Sequence, residues 1–276
     1  MIANLMACPS PELDERFLRH MILNSLRAQR RKFHESYGEL VLCVDSRSGN
    51  WRQTVFKEYK ANRRKTKEQS DVDWGLIFDI LYRIVMEIKE NFPYHVIEVS
   101  GAEADDVIAV LARTNAAREK ILILSGDKDF IQLQSIKGIK QYAPVQKKFI
   151  KTNSQYISKD PKTFLREHIL RGDKGDGIPN FLSPDDTFIS NKRQKQIRKA
   201  NVKDWVKMDP KDFCTSEMLR CYDRNQRLVD FNYIPDNIEE KILDEFAKPP
   251  VGDRRKIFDY MVVKRLNNLM QNIEDF

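Results

Sequence analysis

Cysteine and histidine are scarce in this chain of 276 residues, with four of each. The cysteines are Cys8, Cys43, Cys214 and Cys221, and no two of them have close metal-ligand spacing. That excludes a disulfide framework and points to reduced thiols in the cytoplasm. The histidines, His20, His34, His95 and His168, fall on different candidate elements and make no zinc pattern,. Each reads as a structural or surface residue. Ser125 precedes Gly126 without the surroundings of a nucleophile elbow, so covalent catalysis has no support,. No apolar run is long enough to span a bilayer, and the opening MIANLMAC lacks a basic leader, so no membrane partner is expected,. Internal repeats and low-complexity segments are also missing.

Charge is present in quantity. Lys plus Arg number 48 against 41 acids, a formal net charge of +7. An excess of this sign favours an anionic partner, nucleic acid foremost, and carries no information about fold. The length suits one large domain or two modest ones with a buried core.

The apolar pattern predicts alternating strands and helices. A helix is expected over 12–33, strands at 39–45, 95–100 and 120–126, and helices from Trp74 to Phe92 and Glu103 to Arg113,. A hairpin is expected around Ala143-Pro144. This alternation implies an α/β fold with a mixed, largely parallel sheet flanked by helices. From about 160 the strand signals vanish, and helices are expected near 161–171, 191–206, 210–228 and 254–270. The division is thus an α/β domain over 1–160, with a basic segment at about 51–70, and a helical domain over 161–276.

Seven carboxylates stand in three short clusters: Glu103, Asp105 and Asp106 in GAEADD, Asp127 and Asp129 in LSGDKDF, Asp173 and Asp176 in RGDKGDG. Asp45 ends the first strand, at the sheet edge where open α/β folds bind ligands,. Taken singly, each cluster has an ordinary explanation as a helix-dipole partner, a cap or a Gly-rich turn. Taken together, converging acids repel unless cations lie between them. Mg²⁺ takes oxygen ligands but usually only one or two carboxylates directly. So many acids therefore suit two ions, an arrangement that serves phosphodiester displacement.

The segment WRQTVFKEYKANRRKTKEQ carries Lys57, Lys60, Arg63, Arg64, Lys65 and Lys67, interleaved with Trp51, Phe56 and Tyr59. A solvated helix face is the ordinary outcome for such a run. The interleaved aromatics favour instead a grip on single strands, with rings stacking bases and cations tracking phosphates. A second run, NKRQKQIRK, places Lys192, Arg193 and Lys195 in the helical half, either against duplex backbone or on an ordinary exposed helix,.

In this order, VLCVDS, EYKANRRK, GAEADD, LSGDKDF and GDKGDG resemble the 5′ nuclease (flap endonuclease) superfamily, in its bacteriophage ribonuclease H branch. HMILNS, DFNYIPDNI and NIEDF extend the similarity over nearly the whole chain. The resemblance implies a PIN-like α/β domain with a basic arch, a helical duplex-binding region, and metal-dependent 5′→3′ hydrolysis of RNA–DNA and DNA duplexes and 5′ flaps. Two Mg²⁺ ions, replaceable by Mn²⁺, would lie among Asp45, Glu103, Asp105, Asp106, Asp127, Asp129, Asp173 and Asp176. Asp45 and Asp127 would be catalytic, with Lys60 and Arg63 on the scissile phosphate and Tyr59 positioning the 5′ strand. A phage single-stranded-DNA-binding protein and a sliding clamp are implied as partners of a monomer in the infected host's cytoplasm.

Two departures accompany the resemblance. The family opens with an apolar strand ending in Asp, and MIANLMAC resembles the segment that follows it, so that strand is expected to be missing. After GDKGDGIPN, the text FLSPDDTFISNKRQ lacks the glycines of the family's phosphate-binding helical hairpin. Two other functions compete: a catalytically impaired binder of branched nucleic acid, and a Mg²⁺-dependent phosphatase.

Overall fold

The computed structural model describes residues 15–63, 73–151 and 160–276. Helix α1 (Glu15–Tyr37) buries Leu18, Ile22 and Leu23 on one face and ends at Gly38, whose positive φ lets its N–H reach the His34 carbonyl at 2.8 Å,. Strand β1 (Val41–Val44) and the short helix α2 (Arg52–Val55) follow. Helix α3 (Trp74–Asn91) is capped by Asp73, which accepts from the Leu76 N–H, and stops just before Pro93,. Then come β2 (His95–Glu98), α4 (Ala104–Asn115), β3 (Ile121–Leu124), a 3₁₀ segment (Lys128–Ser135), β4 (Ile139–Ala143) and β5 (Lys148–Phe149). The helical half contains α5 (Pro161–Arg171), α6 (Lys199–Trp205), α7 (Pro210–Phe213), α8 (Ser216–Val229), α9 (Asp236–Ala247), α10 (Arg254–Val263) and α11 (Asn267–Met270).

The mixed α/β class holds, but the single expected sheet is two among the described residues. β1 pairs with β2 in parallel, Val41 opposite His95, and β3 pairs with β4 in parallel, Ile121 opposite Ile139. The expected hairpin is β4–β5, antiparallel, with Tyr142 opposite Phe149. Helix α4 packs on β1 and on β3, so one helix bridges both sheets. Side chains alternate across the strands: Leu42 and Val96 join the core with α1, α3 and α10, while Cys43 and Ile97 face the core with α4 and α9,. A third core gathers Phe56 and Tyr59 with residues of α5, α6 and α8.

Three helices differ from expectation. Residues 191–198 are not helical; Asn180 and Ser183 pin them through Asn180 Nδ2 to the Lys195 carbonyl (2.8 Å) and the Lys195 N–H to Ser183 Oγ (2.9 Å). The helix expected over 210–228 breaks before Thr215, which caps α8. The helix expected over 254–270 ends at Lys264, and Arg265 has positive φ. Helix α9, unexpected from the pattern, starts behind Pro235 and packs on α4 and β2,. No helix of the described residues is long and apolar enough to cross a membrane.

Candidate active site

The acids gather around the first turn of α4. Asp45, one residue past β1, accepts the Ala104 N–H at 2.8 Å, which ties the first strand to that helix start. Glu103, the residue before α4, is a hub: its carboxylate accepts from Arg52 Nη1 (3.0 Å), from the Tyr59 hydroxyl (2.9 Å) and from Lys60 Nζ. Burial works against the charged form, yet Lys60 and Arg52 outweigh it and hold Glu103 below the usual carboxylate range,.

Asp176 joins this group from the other half of the chain. It accepts from the Tyr59 hydroxyl at 3.1 Å and from Arg63 Nη2, and Lys60 Nζ lies 3.8 Å away. The backbone confirms the proximity, since the Lys60 N–H donates to the Asp176 carbonyl at 2.8 Å. Lys60 has φ +58, a left-handed conformation uncommon outside glycine and often found where function demands it,. Burial raises the Asp176 carboxyl, although Lys60 and Arg63 pull the other way.

A second group lies at the end of β3. Asp127 accepts the Asp129 N–H at 3.0 Å, and Asp129 Oδ1 is 3.0 Å from His168 Nε2. The same nitrogen is 3.7 Å from Asp173 Oδ2, which also pairs with Lys128 Nζ at 2.7 Å. Asp173 begins the tight loop carrying Asp176, and its Oδ1 accepts the Gly175 N–H at 2.7 Å. Gly172 makes that loop, with φ +64 and ψ −170; a Cβ there would lie 2.4 Å from the Ile178 carbonyl oxygen,.

Asp105 completes the ring. Burial and the neighbouring Asp127 push its carboxyl up to about 8, and burial and Asp129 raise Asp127 too. Burial also pushes on Asp129, but His168 beside it outweighs this and holds Asp129 low. Carboxylates crowded until they resist ionising are what a divalent cation relieves. Asp129, His168 and Asp173 each present one ligand atom, all within 4.8 Å of one another. This is a tripartite donor set of a kind that fits a metal.

Asp106 is placed differently from its neighbours. It is fully buried, clamped by Arg52 and bonded to Trp51 Nε1 at 3.0 Å, while it accepts the Glu103 N–H at 2.9 Å. Its oxygens are spent on structure. Tyr59 is 3% exposed and Phe56 is 5% exposed, so their rings sit in the core and not where a base could stack, contrary to the expectation for this segment. Trp51 is half-buried with its nitrogen spent on Asp106. Arg63 and Lys57 are exposed; Arg64, Lys65 and Lys67 lie outside the described residues. Lys192, Arg193 and Lys195 are exposed on the pinned segment, not on a helix, and Lys192 pairs with Asp186 at 2.6 Å. Arg52 and His168 lie at the site although neither was expected there from the sequence pattern. Arg52 carries no spacing signal, but His168 stands five residues before Asp173, close enough to be tied to that cluster.

Parallel strands whose ends share one acidic centre, faced by lysine and arginine, define the class: a metal-dependent nuclease. Residues 16–161 match the family described as 5′-3′ exonuclease, N-terminal resolvase-like domain, and residues 160–276 match T4 RNase H, C terminal. The chain belongs to this 5′-3′ exonuclease family. Ribonuclease H of Enterobacteria phage T4 is 34% identical over 268 residues, covering 94% of this chain and 86% of that protein. A 5′-3′ exonuclease of Buchnera aphidicola subsp. Schizaphis graminum is 34% identical over 145 residues, 51% of this chain and 47% of that protein. Among solved structures, the T5 D15 protein co-crystallised with metal ions aligns with TM-score 0.54 at 17% identity over 90% of each chain. A T5 D15 flap endonuclease complex with DNA and metal ions gives 0.55 at 17% identity, over 80% of this chain and 90% of that one. These two likenesses bear on the fold alone.

Proposed function

We propose that this protein hydrolyses phosphodiesters from the 5′ side in RNA–DNA and DNA duplexes and at 5′ flaps, and so removes RNA primers during replication. The observation that carries this reading is the meeting of acids from both halves of the chain at the Lys60 ammonium: Glu103 bonded to it, and the Asp176 carboxylate 3.8 Å away. Asp45, Glu103, Asp105 and Asp127 are assigned to one Mg²⁺, and Asp127, Asp129, Asp173 and Asp176 to a second, with Mn²⁺ as substitute. Bound divalent ions supply an activated water and neutralise charge on the phosphate.

The chain's own residues do the rest. Lys60 and Arg63 face the same acids and present positive charge where the phosphoryl oxygens gain negative charge,. The Tyr59 hydroxyl holds Glu103 and Asp176 at a fixed separation. Asp106, with Arg52, anchors the Glu103 backbone and so is assigned to positioning, not to ligation. Lys57, Arg64, Lys65 and Lys67 of the basic segment, and Lys192, Arg193 and Lys195 on the pinned segment, are assigned to phosphates of the 5′ strand and the duplex. Residues 161–276 serve as the duplex-binding region. A phage single-stranded-DNA-binding protein and a sliding clamp are the proposed partners of a monomer working in the host cytoplasm.

A PIN-like sheet with one more parallel strand between β1 and β3, ending in an acid, belongs to the same proposal. It is supported by α4 resting on both strands while neither pairs with the other. That feature also favours a second reading, in which this chain binds branched nucleic acid and cuts it poorly. The test compares this chain with a form extended by such a strand, on 5′-flap and RNA–DNA substrates with Mg²⁺. Cleavage by the extended form is expected; none would overturn the nuclease assignment. Equal rates for both forms would remove the second reading.

A further inference from the structure

We propose that His168 is a direct metal ligand through Nε2, which makes the second site a mixed nitrogen–oxygen site that accepts Mg²⁺ but binds Mn²⁺, Co²⁺ or Zn²⁺ more tightly than carboxylates alone would. The proposal rests on the nuclease reading and adds to it a specificity that the carboxylates alone do not supply.

The geometry comes first. Nε2 lies 3.0 Å from Asp129 Oδ1 and 3.7 Å from Asp173 Oδ2. Metal–ligand bonds of about 2.1 Å at right angles put neighbouring donors about 3.0 Å apart, and tetrahedral angles put them about 3.4 Å apart. The two distances from Nε2 are thus within a few tenths of an ångström of tetrahedral spacing, and all three donors lie within 4.8 Å of one another. The ring is also held in place. His168 is 2% exposed and packs on Phe164 with centroids 5.9 Å apart and planes at 27°. It sits in the last turn of α5, where its carbonyl accepts the Gly172 N–H at 2.9 Å. A buried, stacked imidazole aimed between two carboxylates of different elements is a rigid donor. Lys128 meets the same Asp173 oxygen at 2.7 Å and is long enough to swing aside.

The chemistry gives the selectivity. Mg²⁺ is a hard cation that prefers oxygen and keeps much of its water. Imidazole suits borderline metals, and affinity for a nitrogen-containing site rises from Mn²⁺ through Co²⁺ toward Cu²⁺, with Zn²⁺ also well served. An imidazole in place of a water or carbonyl thus raises affinity for these ions more than for Mg²⁺. The competing role is positional: His168 would only donate a hydrogen bond that orients Asp129.

The two roles separate without a turnover assay. The full chain is labelled with ¹⁵N-histidine and loaded with Mn²⁺, and pulsed electron paramagnetic resonance reads nitrogen coupling at the ion. Coupling to a ligating histidine nitrogen is expected in the wild type and lost in His168→Gln. In metal titrations, the preference for Mn²⁺ over Mg²⁺ should fall in that variant toward that of an all-oxygen site. Bound Mn²⁺ with no nitrogen coupling overturns the proposal and leaves the nuclease reading intact, and so does an unchanged preference in a folded His168→Gln protein. Failure of the wild type to bind any divalent ion overturns both. The wild-type spectrum decides the matter even if the variant does not fold.

Discussion

Arg52 and Asp106 form a two-point ion pair inside the protein: Nη2 to Oδ1 at 2.7 Å and Nη1 to Oδ2 at 3.0 Å, with neither side chain more than 3% exposed. Arg52 Nε also donates to the Leu228 carbonyl at 2.9 Å, so one guanidinium joins α2, α4 and α8. Such a pair is costly to break from one side, because the surviving charge stays buried. Arg52→Met should destabilise the fold by about 3–5 kcal/mol, and denaturant unfolding checks this. The double variant Arg52→Met with Asp106→Leu should recover much of the loss. If the single variant is as stable as the wild type, Arg52 is not the anchor described.

Asp105 makes stability depend on pH. Its carboxyl is raised to about 8 by burial and by Asp127, whereas in the unfolded chain it has the ordinary value near 3.8. Between these values the unfolded chain gives up the proton and the folded chain keeps it. The stability this group contributes is therefore fully present below about 4 and lost as pH rises to about 8. Thermal unfolding of the metal-free protein should show that decline over this window, and Asp105→Asn should flatten it. The same proton must leave before Asp105 can face a cation, so Mg²⁺ affinity should climb over the same pH range in the wild type and less so in the variant.

Gly172 is the tightest point near the site. With φ +64 and ψ −170 it occupies a region open only to glycine, and an added Cβ would meet carbonyl oxygens at 2.4 and 2.5 Å,. Gly172→Ala should cost about 1–3 kcal/mol in strain, plus any displacement of Asp173 and Asp176. Calorimetry gives the first quantity, and metal titration gives the second. A variant with unaltered melting and metal binding would contradict the loop geometry.

Nucleic-acid binding should be salt-sensitive. If the basic segment around Lys57 and Arg63 and the pinned segment neutralise about 5 phosphates, a log–log plot of affinity against salt on duplex should have a slope near −4.5. Removing Arg193 should lower the slope by about one and weaken all sequences alike. A flat salt response would exclude phosphate contact by these residues.

Asp127→Asn should abolish cleavage and spare binding, because Asp127 sits among Asp105, Asp129 and Asp173, where its charge is suited to a cation and not to a phosphate. Gel-shift and cleavage assays on one 5′-flap substrate separate the two effects. Full turnover would take Asp127 out of the catalytic set.

The α/β half was readable from its pattern because apolar runs such as ILIL end in turn-forming acids, and period and punctuation agree. The acids were readable as a set because ionisable clusters at strand ends are rarely there for packing. The pairing of strands was not, since β1 and β3 are equally apolar and nothing local says which neighbours each one finds. Asp105 and Asp106 are adjacent in sequence, but a helix turns adjacent residues by about 100°, so one faces the acids and the other meets Arg52,. Tyr59 looked like a stacking ring because aromatics among lysines often are; its burial depends on residues such as Phe181 and Leu228, far along the chain. His168 lacked a zinc-like partner nearby; Asp173 stands five residues on, but Asp129 meets it only through the fold.

Helix α4 lies across two separately bonded sheets. It acts as a ruler: its first turn sets how far the carboxylates at the end of one sheet stand from those of the other. A side chain that thickened the underside of α4, such as Leu or Phe in place of the buried Ala109, would spread the two sheets and lengthen the span from Asp45 to Asp127. Spacing at the chemical centre would then change with no alteration to any residue that touches it.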